Sequence, residues 1–333
     1  MDWDETEDDL THMPLPRADR RRLIRPEDWR KAESLCAGPL ARAAQAMGQL
    51  DGVMQMIERP ELRAAITRRL ALIEVSAMLW AQGCPIAVDD LGRDQMAAGA
   101  GVDLDGLQLG RWALRRLDGQ GKLDDLRVFL GLHAVERSGF AGIDGPRLIG
   151  ADFDAAAADF ARSWAAVSDT HPITRAAFGR ALWRLCDLSP EGDLVESATW
   201  AARRMVGPAS ALVFVPLGSA GRRIWVAGGD PAENLSRWCE AVATGSTEAR
   251  HLILRLVDWQ DRARRALARV KSQNAARVIT ALAAAPQALA TDLSGRVGCS
   301  RDTVERMLTR LLSAGLVRDV SGARRYRLWT AVI

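Results

Sequence analysis

Residues 300–316, SRDTVERMLTRLLSAGL, sort polar and apolar side chains at helical spacing. Val304, Met307, Leu308, Leu311 and Leu312 fall on one face, and Arg301, Thr303, Arg306, Thr309 and Arg310 lie elsewhere. Arginine carries a fixed fork of donors that matches the O6 and N7 acceptors of guanine, so a helix showing these residues outward can read base edges in a major groove. Ser300 is suited to cap the helix start, and Gly315 stands where a left-handed cap ends it. A second cluster, Arg324, Arg325 and Arg327, is placed to meet phosphate or a minor groove, a contact that positions without reading sequence. Residues 274–333 hold nine arginines against four acids, a net +5, whereas the whole chain carries +3.

These side chains need elements to hold them. NAARVITALAAAP (274–286) reads as a first helix stopped by Pro286, and TDLSGRVG (291–298) as a second, with Thr291 as its cap. Gly298 and Cys299 make the turn into the third helix, and LVRDV, Ser321-Gly322-Ala323 and RRYRLW form a β-hairpin. Three helices with a tight second turn followed by a hairpin is the winged helix-turn-helix arrangement. A small helical cap or a protein-docking winged helix would share the pattern; the agreement of spacing, caps, wing and charge favours double-stranded DNA.

A second constellation lies at 160–192, FARSWAAVSDTHPITRAAFGRALWRLCDLSPEG. It resembles the core of the Fic family, enzymes that transfer AMP or related groups through a loop His-Pro-Phe-x-Asp/Glu-Gly-Asn-Gly-Arg between two helices. The resemblance implies a general base at His171, magnesium held by an acid, phosphates cradled by the Gly-Asn-Gly turn, and Arg180 at the motif's end. His171-Pro172 match, and Gly179-Arg180 match after a one-residue insertion. Ile173 replaces the Phe, Arg175 stands where the acid belongs, and Ala176 and Ala177 replace the cradle. AQAMGQLDGVM and RRLALIEVSAML resemble the helical N-terminal extension of some Fic proteins, but Glu74 is followed by Val75, which breaks the family's inhibitory motif. From about Leu40 to Trp329 the chain is also similar to a group of alphaproteobacterial, often plasmid-associated proteins. These pair a degenerate Fic-like N-terminal region and an HPxxRAA segment with a C-terminal helix-turn-helix. On this reading His171 and Arg180 are degenerate candidates, His171 serves as a structural residue ahead of Pro172, and neither cofactor nor metal is called for.

The rest of the chain sets the frame. Residues 1–28, an acidic block followed by prolines and RADRRRLIRP, read as a solvated arm, with a phosphate-touching arm as the functional alternative. Residues 29–246 form a mainly α region, with helices expected at 36–57, 60–83, 105–118, 122–137, 152–168, 174–187, 193–205 and 231–243. ALVFVPLGSAGRRIWVAGG (211–229) reads as that region's β-hairpin. Residues 247–273 form a long connecting helix in which Leu252, Leu256 and Trp259 start a heptad-like seam, open to packing on its own domain or to a homodimer. KSQN (271–274) then separates the last unit, 274–333.

Five scattered cysteines without a Cys-x-x-Cys pair argue against a zinc site or a disulfide framework. The longest apolar runs are too short to cross a bilayer, and the acidic start is no secretory signal, so a cytoplasmic, nucleoid-associated protein is expected. His12, His133 and His251 lack partners at chemical spacing, and the eleven tryptophans, among them Trp80, Trp183 and Trp225, read mostly as core. The expectation is a mainly α protein, a Fic-like region plus a C-terminal winged helix, acting as a sequence-specific and dimeric transcriptional regulator. The alternatives are an active Fic-type transferase with a DNA-binding tail, and a plasmid or phage replication or partition protein.

Overall fold

The computed structural model describes residues 25–94, 103–132, 147–222, 224, 230–268, 273–320 and 327–333. The arm to residue 24, His12, His133 to Arg137, Trp225, residues 269–272, Arg324 and Arg325 lie outside them. The described residues form fourteen helices and one small antiparallel sheet, and no helix among them is long and apolar enough to cross a membrane.

The body is built around α3 (Pro60–Ala81), preceded by α1 (Pro26–Leu35) and α2 (Ala37–Gln55). From Leu70 to Leu79 every residue of α3 except Ile73 is buried, the mark of a helix enclosed on all sides. Around it stand α4 (Val88–Asp94), α5 (Leu104–Leu117), α6 (Leu126–Leu130), α7 (Gly150–Ala165), α8 (Pro172–Leu185) and α9 (Val195–Arg204). Their ends follow local chemistry. Pro26, Pro60 and Pro172 occupy first turns, where a missing N–H costs nothing, and Asp103 and Asp125 accept amides of α5 and α6. Helix α1 starts at Pro26, within the span read as an arm, with Trp29 buried edge-on against Phe178.

Three expectations need correction. The segment 211–229 holds no strand among its described residues; a short turn of helix, α10 (Gly218–Gly221), occupies it instead. Side-chain carboxylates take the amides that a hairpin partner would have used. Asp51 Oδ1 accepts from Ala211 N at 2.8 Å, and Glu74 Oε2 accepts from Leu217 N at 2.9 Å and Gly218 N at 2.7 Å. The helix expected at 231–243 and the connecting helix expected at 247–273 are one continuous helix, α11 (Pro231–Ala266), capped by Asp230 and packed along α2, so no boundary falls at 247.

The third correction concerns the seam. Leu256 and Trp259 are 0% exposed within the single chain, and Leu252 is partly buried. The Trp259 indole N–H donates to Leu316 O at 2.7 Å. The heptad-like spacing records burial of α11 against its own neighbours, and that face is not open to a second copy.

After α11 come α12 (Gln273–Ala284), β1 (Ala288–Leu289), α13 (Ala290–Val297), α14 (Arg301–Ser313), β2 (Val317–Asp319) and β3 (Leu328–Ala331). The sheet order is β1-β3-β2, with Ala288 opposite Trp329 and Val317 opposite Ala331. The described helices and strands follow the order of a winged helix-turn-helix, with one more strand, β1, than the expected hairpin. Helix α13 starts at Ala290, so Leu289 and not Thr291 precedes its first turn. The unit is joined to the body by more than chain continuity, because α12 packs against α3. Arg69 on α3 donates to Ala283 O at 3.3 Å and Ala285 O at 3.1 Å, a cation at the negative end of α12. Gln287 donates to Asp89 at 2.8 Å, and Pro286 lies against Gly92.

Candidate functional site

The turn between α13 and α14 sets the angle of the arginine-bearing helix. Gly298 adopts φ +73°, open to glycine at little cost, and its N–H donates to Ser294 O at 2.9 Å. Ser300 Oγ then accepts from Thr303 N at 3.3 Å and pairs with Thr303 Oγ1 at 2.8 Å, so α14 starts where its cap predicts. Val304, Met307, Leu308 and Leu311 are buried, while Arg301, Arg306, Thr309 and Arg310 are exposed. Leu312, assigned to the apolar face, is exposed.

On the outer face the polar side chains are pre-arranged. Arg301 Nε donates to Glu305 Oε1 at 2.7 Å, and Arg306 lies back over Asp302 O and Thr303 Oγ1, each at 3.3 Å. An exposed pair four residues apart is worth only about 0.3–0.5 kcal/mol, so Arg301 can leave Glu305 for a base edge at small cost. Between α14 and the sheet runs a groove of about 330 Å³, lined by Arg301, Glu305 and Thr309 on one side and Arg327 and Trp329 on the other. Arg327 Nε faces Asp319 at 3.5 Å at the base of the wing. The groove thus brings Arg301 and Thr309 together with Arg327, while Ser300, Arg306 and Arg310 are exposed elsewhere along α14 and Thr303 is half-buried; Arg324 and Arg325 lie outside the described residues.

The second constellation has a different character. His171 is the N-cap of α8: Nδ1 accepts from Ile173 N at 3.2 Å, and the His171 backbone N–H donates to Glu33 Oε2 at 2.9 Å. Burial lowers the imidazole pKa, against the opposing charge of Glu33. Helix α8 then runs unbroken through Ala176 and Ala177, both buried, so their amides serve the helix and form no cradle. The Arg175 guanidinium stacks 3.5 Å from the centroid of Trp164, whose ring also faces Arg204 at 4.6 Å.

Gly179 is a packing residue. A Cβ there would meet the Trp200 ring at 2.5 Å, and no left-handed conformation is involved. Arg180 is buried behind it with Nη1 donating to Ile224 O at 3.3 Å, and burial brings its pKa down to about 9. The four residues that match the motif thus lie along one straight helix and its cap, two of them facing the core.

Sequence reasoning passed over several buried charges. Glu74 is enclosed on α3, its pKa pushed up to about 7 by burial, although the Gly218 and Leu217 amides oppose the shift. Glu196 is held by Arg147 at 2.6 Å and by Ser189, which in turn accepts from the Trp183 indole at 2.8 Å. An acid inside the apolar run ALIEVSAML was the available signal for Glu74; for Arg69 and Glu196 none distinguishes them from surface charges.

No family model matches the chain, and no curated protein does. Among solved structures it is similar to a Fic family protein from Desulfovibrio desulfuricans G20, at 13% identity and a TM-score of 0.51, over 88% of this chain and 96% of that one. The fold is therefore Fic-like. The share left uncovered is smaller than the unit 274–333, so the likeness extends into that unit.

Proposed function

We propose that this chain is a sequence-specific DNA-binding transcriptional regulator built on a Fic-like scaffold that does not transfer nucleotides. The observation that carries the reading is the outward polar face of α14, capped by Ser300 and backed by a buried apolar face. The N-terminal turns of such a helix reach base edges, with Arg301, Thr303 and Arg306 as readers and Thr309 and Arg310 further along the groove. Arg327, with Arg324 and Arg325, holds the backbone and carries no sequence information. The net +5 of the last sixty residues supplies the salt-dependent attraction to phosphate.

Against transferase chemistry stand the occupants of the motif. Arg175 fills the acid's position and is stacked on Trp164, Ala176 and Ala177 are inside a helix, and Gly179 and Arg180 face the core. His171 keeps one nitrogen engaged as a helix cap, which is a structural use of the residue.

Selection of bound duplexes from a random pool, followed by mapping of bound sites across the genome, tests the reading. Enrichment of one motif located upstream of genes supports it. A pool that yields no motif contradicts it, and sites confined to an origin or a partition locus would replace regulation by a replication or partition role.

A further inference from the structure

Three exposed arginines from three different helices lie around one end of α13. Arg68 comes from α3 of the body, Arg277 from α12 and Arg296 from the last turn of α13. The docking of α12 on α3 sets Arg68 beside the C-terminal unit: its neighbour Arg69 caps α12, and Arg68 is exposed, close enough for its charge to act on Arg296. Arg277 Nη1 donates to Val297 O at 3.3 Å, tying it to the residue next to Arg296.

Few acids answer this charge. The residues three and four positions from Arg68 on α3 are Ala64, Ala65, Ala71 and Leu72, and those around Arg277 are Gln273, Asn274, Thr280 and Ala281. Asp292, one turn before Arg296, is the facing acid on α13. Arg296 is held below the ordinary arginine value by desolvation and then by the Arg68 charge, with Asp292 opposing. Like charges set together cost free energy in the free protein, and an anion on the patch would relieve that cost. The patch sits beside the reading end of α14, since Arg296 precedes the Ser300 cap by four residues.

We infer that the helical body takes part in DNA binding, with Arg68 joining Arg277 and Arg296 in a contact to the phosphate backbone flanking the site read by α14. This rests on the DNA-binding reading above. It gives the body a physical role in the complex: the junction bonded through Arg69 and Trp259 sets where along the duplex the Arg68 contact falls. Such a contact adds affinity and footprint length and leaves base preference unchanged.

The experiment uses the full chain, the duplex enriched by selection and a scrambled duplex, with affinity measured by fluorescence anisotropy over several salt concentrations. Arg68→Ala should weaken both duplexes alike, lower the salt slope by about 0.9, and keep the ratio between the two. Arg68→Lys should restore the slope, and trimming the flank on one side of the site should abolish the difference between Arg68→Ala and the parent. Arg68 is exposed, and matching melting curves establish that the variant is folded. A parent protein that binds DNA and an Arg68→Ala variant with an unchanged slope would overturn this inference alone. A parent that binds neither duplex would overturn the DNA-binding reading itself.

Discussion

The indole N–H of Trp259, in the long helix α11, donates to the carbonyl of Leu316, just before the first strand of the wing, at 2.7 Å. Both groups are buried, so the bond joins the body to the winged unit in a place that water does not reach. Trp259→Phe keeps most of the apolar bulk and removes this bond, while the Leu316 carbonyl still accepts from Val332 N at 3.0 Å. The expected cost is about 0.5–1.5 kcal/mol in urea unfolding, the net worth of one buried hydrogen bond. A change within experimental error would mean that the bond does not fasten the unit.

Leu256 lies one turn before Trp259 and is equally buried. Leu256→Glu places a charge among apolar side chains and should destabilise the fold by several kcal/mol. Light scattering beside a thermal melt separates this from a dimer surface. A variant that melts like the parent and only loses a partner subunit would restore the seam to an intermolecular role.

Gly179 distinguishes packing from phosphate binding. Gly179→Ala drives a methyl into the Trp200 ring, and overpacking of this kind costs about 1–3 kcal/mol. Denaturant midpoints report it directly. An unchanged midpoint would remove the packing explanation for this glycine.

Glu74 makes stability depend on pH in a definite direction. Its pKa in the folded protein is about 7, above the ordinary 4.5, so the folded state binds the extra proton. Stability from this group is present at low pH and is lost as pH rises from about 4.5 through 7. Asp193, also raised to about 7, acts in the same sense, and His171, lowered by burial, acts in the opposite one as pH falls. The difference between parent and Glu74→Gln isolates the one group. Glu74→Gln keeps an oxygen acceptor for the amides of Leu217 and Gly218, so it should gain on the parent as pH rises from 5 to 8. A constant difference over that range would contradict the assignment.

Much of this was legible in the residues, and the limits were physical. Ser300, Gly298 and Gly315 act locally, through caps and turns, and local chemistry can be read from spacing; α14 accordingly starts where Ser300 places it. The ALVFVPLG run was misread because β-like apolar residues are also what a buried loop needs, and its amides go to Asp51 and Glu74, far away in sequence. Leu256 and Trp259 show the same limit, since a heptad spacing says that one stripe of a helix is buried and not against what. His171-Pro172 was clear as a pair, but the stacking of Arg175 on Trp164 depends on where α7 lies, which no periodicity specifies.

The Fic-like motif yields its own test. Incubation with labelled nucleoside triphosphates and magnesium, alone and with cell extract, should transfer no label. Transfer that disappears in His171→Ala would contradict the reading of His171 as a helix cap.

The most direct measurement compares Arg306→Ala with Arg327→Ala on the selected and scrambled duplexes across a salt series. Arg306→Ala should cost about 1–3 kcal/mol on the selected site and relax preference at one base position, because it removes a base reader from α14. Arg327→Ala should weaken both duplexes alike and lower the salt slope by about one. If Arg306→Ala left specific binding intact, α14 would not be the reading helix, and the central claim would fail.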